Sequence, residues 1–138
     1  MSLPTHGYSG TPLIKKLGIK PGMRAVVLDP PPGYVATLGD LPDGVPLEDS
    51  LNGRFDFIHL FAHSRQTLEA RFPDLRAALD PAGMLWVSWP KKASKMPTDL
   101  NENIVRDIGL AGGLVDVKVA AIDATWSGLK FVYRLADR

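Results

Sequence analysis

Cysteine is absent from the chain. That excludes disulfides, thiolate catalysis and cysteine-ligated metal sites, and it fits a reducing cytoplasm. An excess of one charge is also missing: 16 Lys and Arg against 15 Asp and Glu leave a formal net charge of +1. Such a balance speaks against a general nucleic-acid binder or a protein drawn to acidic membranes. No apolar run approaches the ~20 residues of a membrane span. The first residues lack the basic-then-apolar layout of a secretion signal, so no membrane partner is expected. Internal repeats and low-complexity linkers are lacking too. What remains is ordinary globular material, 45% hydrophobic and 22% charged over 138 residues, enough for one substantial core. The expected organisation is an N-terminal arm over residues 1–10 and a single domain over 11–138.

Local signals divide that domain. Thr11 can cap a helix, Pro12 suits its first turn and Gly18 its stop, with Leu13, Ile14 and Leu17 on one face. A strand near 24–29 follows the Pro21-Gly22 turn. Tyr34 to Leu38 reads as a short helix closed by Gly39, and residues 40–54 are loop-rich with at most one short strand near 45–47. Phe55 to Ala62 reads as a fully buried strand. Ser64 can cap the next helix, whose Leu68, Phe72, Leu75 and Leu79 share one side, and Pro73 should kink or split it. Asp80-Pro81-Ala82-Gly83 reads as a turn, Met84 to Trp89 as a buried strand, and Pro90 to Thr98 as a loop. A helix is expected over 99–110, ending at Gly112-Gly113. Two strands, 115–122 and 129–135, are expected to form an antiparallel hairpin turning through Thr125-Trp126-Ser127-Gly128.

Helices alternating with buried strands predict an α/β, Rossmann-like three-layer sandwich: a mostly parallel sheet closed by an antiparallel C-terminal hairpin. In such sheets ligands bind outside the carboxyl ends of the strands. Residues 29–34, 62–66 and 89–96 should converge there.

Three segments carry a family resemblance. Val26-Val27-Leu28-Asp29 resembles the first strand of the S-adenosylmethionine-dependent methyltransferase fold. Leu79 to Val87 (Leu-Asp-Pro-Ala-Gly-Met-Leu-Trp-Val) resembles its leucine–proline–glycine–strand segment, and Trp126 to Val132 its closing strand. The chain also resembles a family of small bacterial proteins of this core with no assigned activity. The resemblance covers most of residues 11–135 and implies a cytoplasmic protein of that fold. It also implies a methyl-donor cofactor, but the loop after the first strand departs from the pattern. Closely spaced glycines there let backbone N–H groups reach the cofactor. Here Pro30, Pro31 and Pro32 have no N–H to donate, and only Gly33 remains. The chain is also short by roughly one strand–helix unit relative to that fold. Glu48 or Asp49 could stand in for the acid that holds a ribose. The expectation is therefore no cofactor, with S-adenosylmethionine disfavoured.

Chemistry-bearing residues gather at the expected ligand edge. Lys91, Lys92 and Lys95, with Ser94, sit in the loop after Trp89 and could hold a phosphate or carboxylate. Trp89 stands where strand opens into loop, and Trp86 reads as core. His63, Ser64 and Arg65 follow the central strand. His63 could act as a ligand contact or general base, and Arg65 could pair with a bound anion. His59, four residues before His63, reads as a buried, satisfied histidine. A two-histidine metal site would need a third ligand that nothing in the sequence places, so no metal is expected. Asp29 either accepts from a ligand or caps its own turn. Gly33 allows close approach, and Tyr34 could stack on a flat ligand. Asp99, Asn101, Glu102 and Asn103 read as helix-start residues. Trp126 is either an exposed aromatic at a dimer contact or folded onto the sheet.

The leading expectation is a methyltransferase-like domain that is non-catalytic or of no assigned activity. It would bind a small anionic ligand or a protein partner at the carboxyl edge through Asp29, His63, Arg65, Lys91, Lys92 and Lys95. A divergent S-adenosylmethionine-dependent methyltransferase is the first alternative. The second is an interaction module acting through a homodimer or partner surface around Trp126.

Overall fold

A computed structural model describes residues 12–43 and 45–138. The N-terminal arm and the Thr11 cap lie outside these residues. Ten main elements follow in chain order: α1 (Leu13–Leu17), β1 (Ala25–Leu28), α2 (Tyr34–Leu38), β2 (Leu47–Glu48), β3 (Phe55–Phe61), α3 (Arg65–Ala78), β4 (Leu79–Pro90), α4 (Glu102–Ala111), β5 (Leu114–Ala121) and β6 (Trp126–Tyr133). The strands form one sheet in the order β2-β1-β3-β4-β6-β5. β1 pairs in parallel with β2 and β3, and β3 with β4. β6 is antiparallel to both β4 and β5, so five strands run one way and one runs back. The chain moves outward from β1 to β2 and then returns to β3 on the other side of β1. The switch in strand order therefore falls between β1 and β3, where open α/β sheets hold ligands.

Alternating side chains build two cores. One face carries Val26, Leu28, Ile58, Leu60, Val87, Leu129 and Phe131 under Leu68, Phe72 and Leu75 of α3 and Val105 and Ile108 of α4. The other carries Ala25, Val27, Phe57, Phe61, Trp86 and Trp126 under Leu13 and Leu17 of α1 and Tyr34 and Leu38 of α2. α1 stops where Gly18 enters the left-handed region (φ 87°), donating its N–H back to the Ile14 and Lys15 carbonyls. The buried Trp86 Nε1 donates to the Leu17 carbonyl at 2.9 Å, tying that helix end to the sheet.

Four local expectations are corrected. α3 runs unbroken through Pro73. The carbonyl that loses its partner belongs to Glu69, and both residues are solvent-exposed, so water can replace the missing bond. Asp80 to Gly83 is a wide bulge inside β4 and not a turn between elements. Phe55 pairs with Leu79 and Phe57 with Met84, so two steps of β3 face five of β4. The turn chemistry is still present, because Asp80 Oδ1 accepts the Ala82 N–H. Gly83 is required there: a Cβ would stand 2.8 Å from the Asp56 carbonyl oxygen. α4 begins at Glu102 and not at Asp99, because the Asn101 side chain caps it by accepting the Ile104 N–H. Finally, β6 begins at Trp126. The hairpin turn lies earlier, closed by Asp123 Oδ1 accepting the N–H groups of Thr125 and Trp126.

Candidate functional site

The carboxyl ends of β1, β3 and β4 bring three loops to one edge. Two of them are bonded together. Thr98 Oγ1 donates to the His63 carbonyl at 2.5 Å, and the Arg65 N–H donates to Asp99 Oδ1 at 2.7 Å. The loop after β4 is thus folded back over the start of α3. A short 3-10 turn, Lys92–Ser94, and a left-handed Lys95 (φ 60°) give it its bend. Ser94 is spent inside this loop: its hydroxyl donates to the Lys91 carbonyl and accepts the Met96 N–H.

Behind the bend lies a cavity of about 740 Å³. Lys91, Lys92, Lys95, Asp99, Asn101, Glu102 and Ser127 line it, and Trp89 contributes to its wall. Both acids are already engaged. Asp99 accepts the Arg65 N–H, and Glu102 is paired with Arg106 at 2.7 Å. The three lysines make no ion pair among the described residues. Three lysines against Asp99, with Glu102 paired to Arg106, leave the cavity net positive, which suits an anion.

The loop after β1 forms a separate corner. Asp29 takes a left-handed φ of 54° and its carboxylate is bound by Arg71 Nη1 of α3 at 2.5 Å. Its side chain stays 64% exposed, so one oxygen still faces solvent. Gly33 has φ 84° with nothing within 4 Å of a Cβ position, leaving open space against the backbone. β2 lies parallel to β1, with Glu48, its last residue, opposite Val26. Glu48 is held by Arg24 at 2.7 and 2.9 Å, and that hydrogen bonding keeps its carboxyl below the usual range. The next residue, Asp49, is exposed at the strand end.

Other residues expected at the site are used internally. Tyr34 is core: 4% exposed, edge-on to Phe61 at 5.0 Å, with its hydroxyl 2.9 Å from His59 Nδ1. It cannot stack on a ligand, and burial raises the pKa of its phenol. His59 is fully buried, and its Nε2 lies 2.7 Å from Ser88 Oγ. Both ring nitrogens are thereby committed, so His59 is not available to a metal, and burial lowers its pKa to about 3. Among the described residues no group of three His, Cys, Asp or Glu could hold a metal ion. Ser64 is the α3 cap, accepting the Thr67 N–H and donating to Thr67 Oγ1, which leaves no free hydroxyl for a ligand. The Arg65 side chain pairs with Glu69 at 3.6 Å. Trp89 is 6% exposed and belongs mainly to the core. His63 is exposed, its ring edge-on to Trp126 at 5.1 Å. Trp126 itself is 3% exposed and packs on Phe61 as well, so it offers no surface for dimer contact.

Sequence reading missed Arg71, Thr98 and Ser88. Arg71 and Asp29 are 42 residues apart, and no local pattern couples them. Ser88 had a weak signal, since it is the one hydroxyl in an apolar strand beside the strand that carries His59.

No protein-family model matches the sequence, and no curated protein matches it. Solved structures do match the fold. The chain superposes on a SAM dependent methyltransferase from Aquifex aeolicus with TM-score 0.56 and 15% identity, covering 86% of each chain. It matches DhpI in complex with SAH at TM-score 0.63 and 11% identity, covering 88% of this chain and 81% of that one. Aeropyrum pernix fibrillarin with natively bound S-adenosyl-L-methionine matches at TM-score 0.58 and 12% identity, covering 84% and 69%. At these identities the likeness is one of fold: a methyltransferase-like, Rossmann-like sheet.

Proposed function

We propose that this chain is a divergent S-adenosylmethionine-dependent methyltransferase. The methyl donor would lie at the carboxyl ends of β1 and β2, and an anionic acceptor in the lysine-lined cavity. The observation that carries this reading is the parallel pairing of β1 and β2. It sets Asp49, just past the end of β2, level with Val27 on β1, two residues before Asp29.

The residues fit the donor unevenly. Asp49 offers a carboxylate to ribose hydroxyls, and the free oxygen of Asp29 offers an acceptor to an ammonium. The space at Gly33 admits a ligand close to the backbone. The three prolines withhold the N–H groups that would meet a carboxylate, so affinity is expected below that of a glycine loop. When bound, the sulfonium supplies an activated methyl group. The chain's own part is to hold the acceptor's negative charge with Lys91, Lys92 and Lys95, and the exposed His63 imidazole beside Trp126 is the proposed proton acceptor.

Titration calorimetry with S-adenosylmethionine and its demethylated product tests the reading. It expects heat in the wild type and at least tenfold weaker binding in Asp49→Asn. No heat with either ligand at high protein concentration overturns it. A second reading would then stand, a non-catalytic anion-binding domain. It is favoured by the cavity's net positive charge and is read by thermal shift with anionic metabolites.

A further inference from the structure

A second basic cluster lies away from the cavity. Lys118 of β5 and Lys130 of β6 are direct partners across the antiparallel ladder. Like charges set opposite one another weaken a sheet, so folding alone gives no reason for this pair. A third lysine joins them from α1. Lys118 Nζ donates to the Lys16 carbonyl at 3.4 Å, and Lys16 Nζ donates to the Ala121 carbonyl at 3.1 Å. Lys130 has its pKa lowered by burial and then by Lys118 and Lys20; Lys16 by burial and then by Lys118 and Lys91.

Lys118 and Lys130 make no ion pair among the described residues. The ion pairs among the described residues are made by Arg24, Arg65, Arg71 and Arg106. Lys118 and Lys130 thus stand side by side on one ladder with Lys16 against them, so one small ligand can touch all three. Ammonium groups on flexible stems match phosphate oxygens as point charges, without the planar demands of arginine. The large exposed hydrophobic residues are Val35, Leu110, Val117, Val119 and Leu135, none of them aromatic. A base-stacking platform is therefore lacking among the described residues, which favours a compact anion over a nucleic-acid strand.

We propose that Lys118 and Lys130, with Lys16 beside them, form a binding site for a small anion carrying two or more phosphate groups. The site is independent of methyl-donor binding, and its test uses neither the donor nor its product.

Thermal shift and calorimetry on the whole chain, with tripolyphosphate and inorganic phosphate as probes, decide it. Tripolyphosphate is expected to raise the wild-type Tm, to bind at least tenfold more tightly than phosphate, and to weaken as salt rises. The double variant Lys118→Gln/Lys130→Gln is expected to melt higher without ligand, because the repulsion is gone, and to lose the tripolyphosphate response. Lys15→Gln, removing one exposed charge elsewhere on α1, is expected to keep it. Should the double variant not fold, Lys118→Gln alone carries the test, with at least a threefold loss of affinity. Three results would overturn the site: no response in the wild type, undiminished affinity in the lysine variants, or tighter binding of a single-stranded oligonucleotide than of tripolyphosphate.

Discussion

His59 and Ser88 meet inside the sheet, with Nε2 2.7 Å from Oγ and both side chains fully buried. Tyr34 completes the chain on the other ring nitrogen. In one tautomer the tyrosine hydroxyl donates to Nδ1 and Nε2–H donates to the serine; in the other the roles reverse. Either way the imidazole is satisfied while neutral, and Phe61 stacks on it at 4.2 Å. The start of α2, and with it the corner at Gly33, is thereby anchored to the central strand.

This arrangement predicts an acid sensitivity. The folded pKa of His59, about 3, lies below the ordinary value of 6.5. Above 6.5 neither state binds the proton; below it the unfolded chain does and the folded one does not. The contribution is present above pH 6.5 and is lost as pH falls toward 3, by up to about 1.4 kcal/mol per pH unit. His59→Gln, which can donate and accept but does not titrate, should show a shallower fall in urea-unfolding stability between pH 6.5 and 4. Equal slopes in the two proteins would refute the assignment.

Trp126→Ala should cost about 3–5 kcal/mol, the usual range for a buried tryptophan. Sedimentation of the variant should show the same assembly state as the wild type. A stable variant with an altered assembly state would return Trp126 to the role of a contact residue.

Gly109→Ala tests the seat of α4 on β6. An added Cβ would stand 2.0 Å from Phe131 Cε1. The helix gains up to about 1 kcal/mol from alanine, and overpacking costs roughly 1–3 kcal/mol, so net destabilisation is expected. Trimming the ring with Phe131→Leu should make the two changes non-additive in a double-mutant cycle; simple additivity would show that they do not clash.

Asp29→Asn separates stability from binding. Asparagine tolerates the left-handed backbone as aspartate does. The Arg71 pair is exposed enough that its loss should cost under about 1 kcal/mol. Under the proposed function, affinity for the demethylated donor should fall at least tenfold. Unchanged affinity would remove Asp29 from the donor site.

Much of the architecture was legible because its determinants are local. Apolar runs marked β1, β3 and β4, and the Ser64 hydroxyl and Gly18 marked where helices begin and end. The errors fell where two local rules competed. Asp80-Pro81-Ala82-Gly83 has turn chemistry, yet strand pairing on both sides absorbed it as a bulge. Pro73 breaks helices in general, yet its orphaned carbonyl here faces water.

The lysines of the β4 loop could be placed at the ligand edge from strand order, because the carboxyl end of a parallel sheet is a property of topology. Which groups are free to act there was decided only by long-range register. Ser64 and Tyr34 looked available and are consumed by a cap and by His59. Glu48 and Asp49 were equal candidates until Glu48 was found bound by Arg24 and Asp49 exposed. Lys118 and Lys130 become neighbours only because β5 and β6 pair in one particular register. Propensity, caps and alternation act over a few residues and can be read along the chain. Pairing, burial and charge compensation join residues tens of positions apart, and no local pattern carries them.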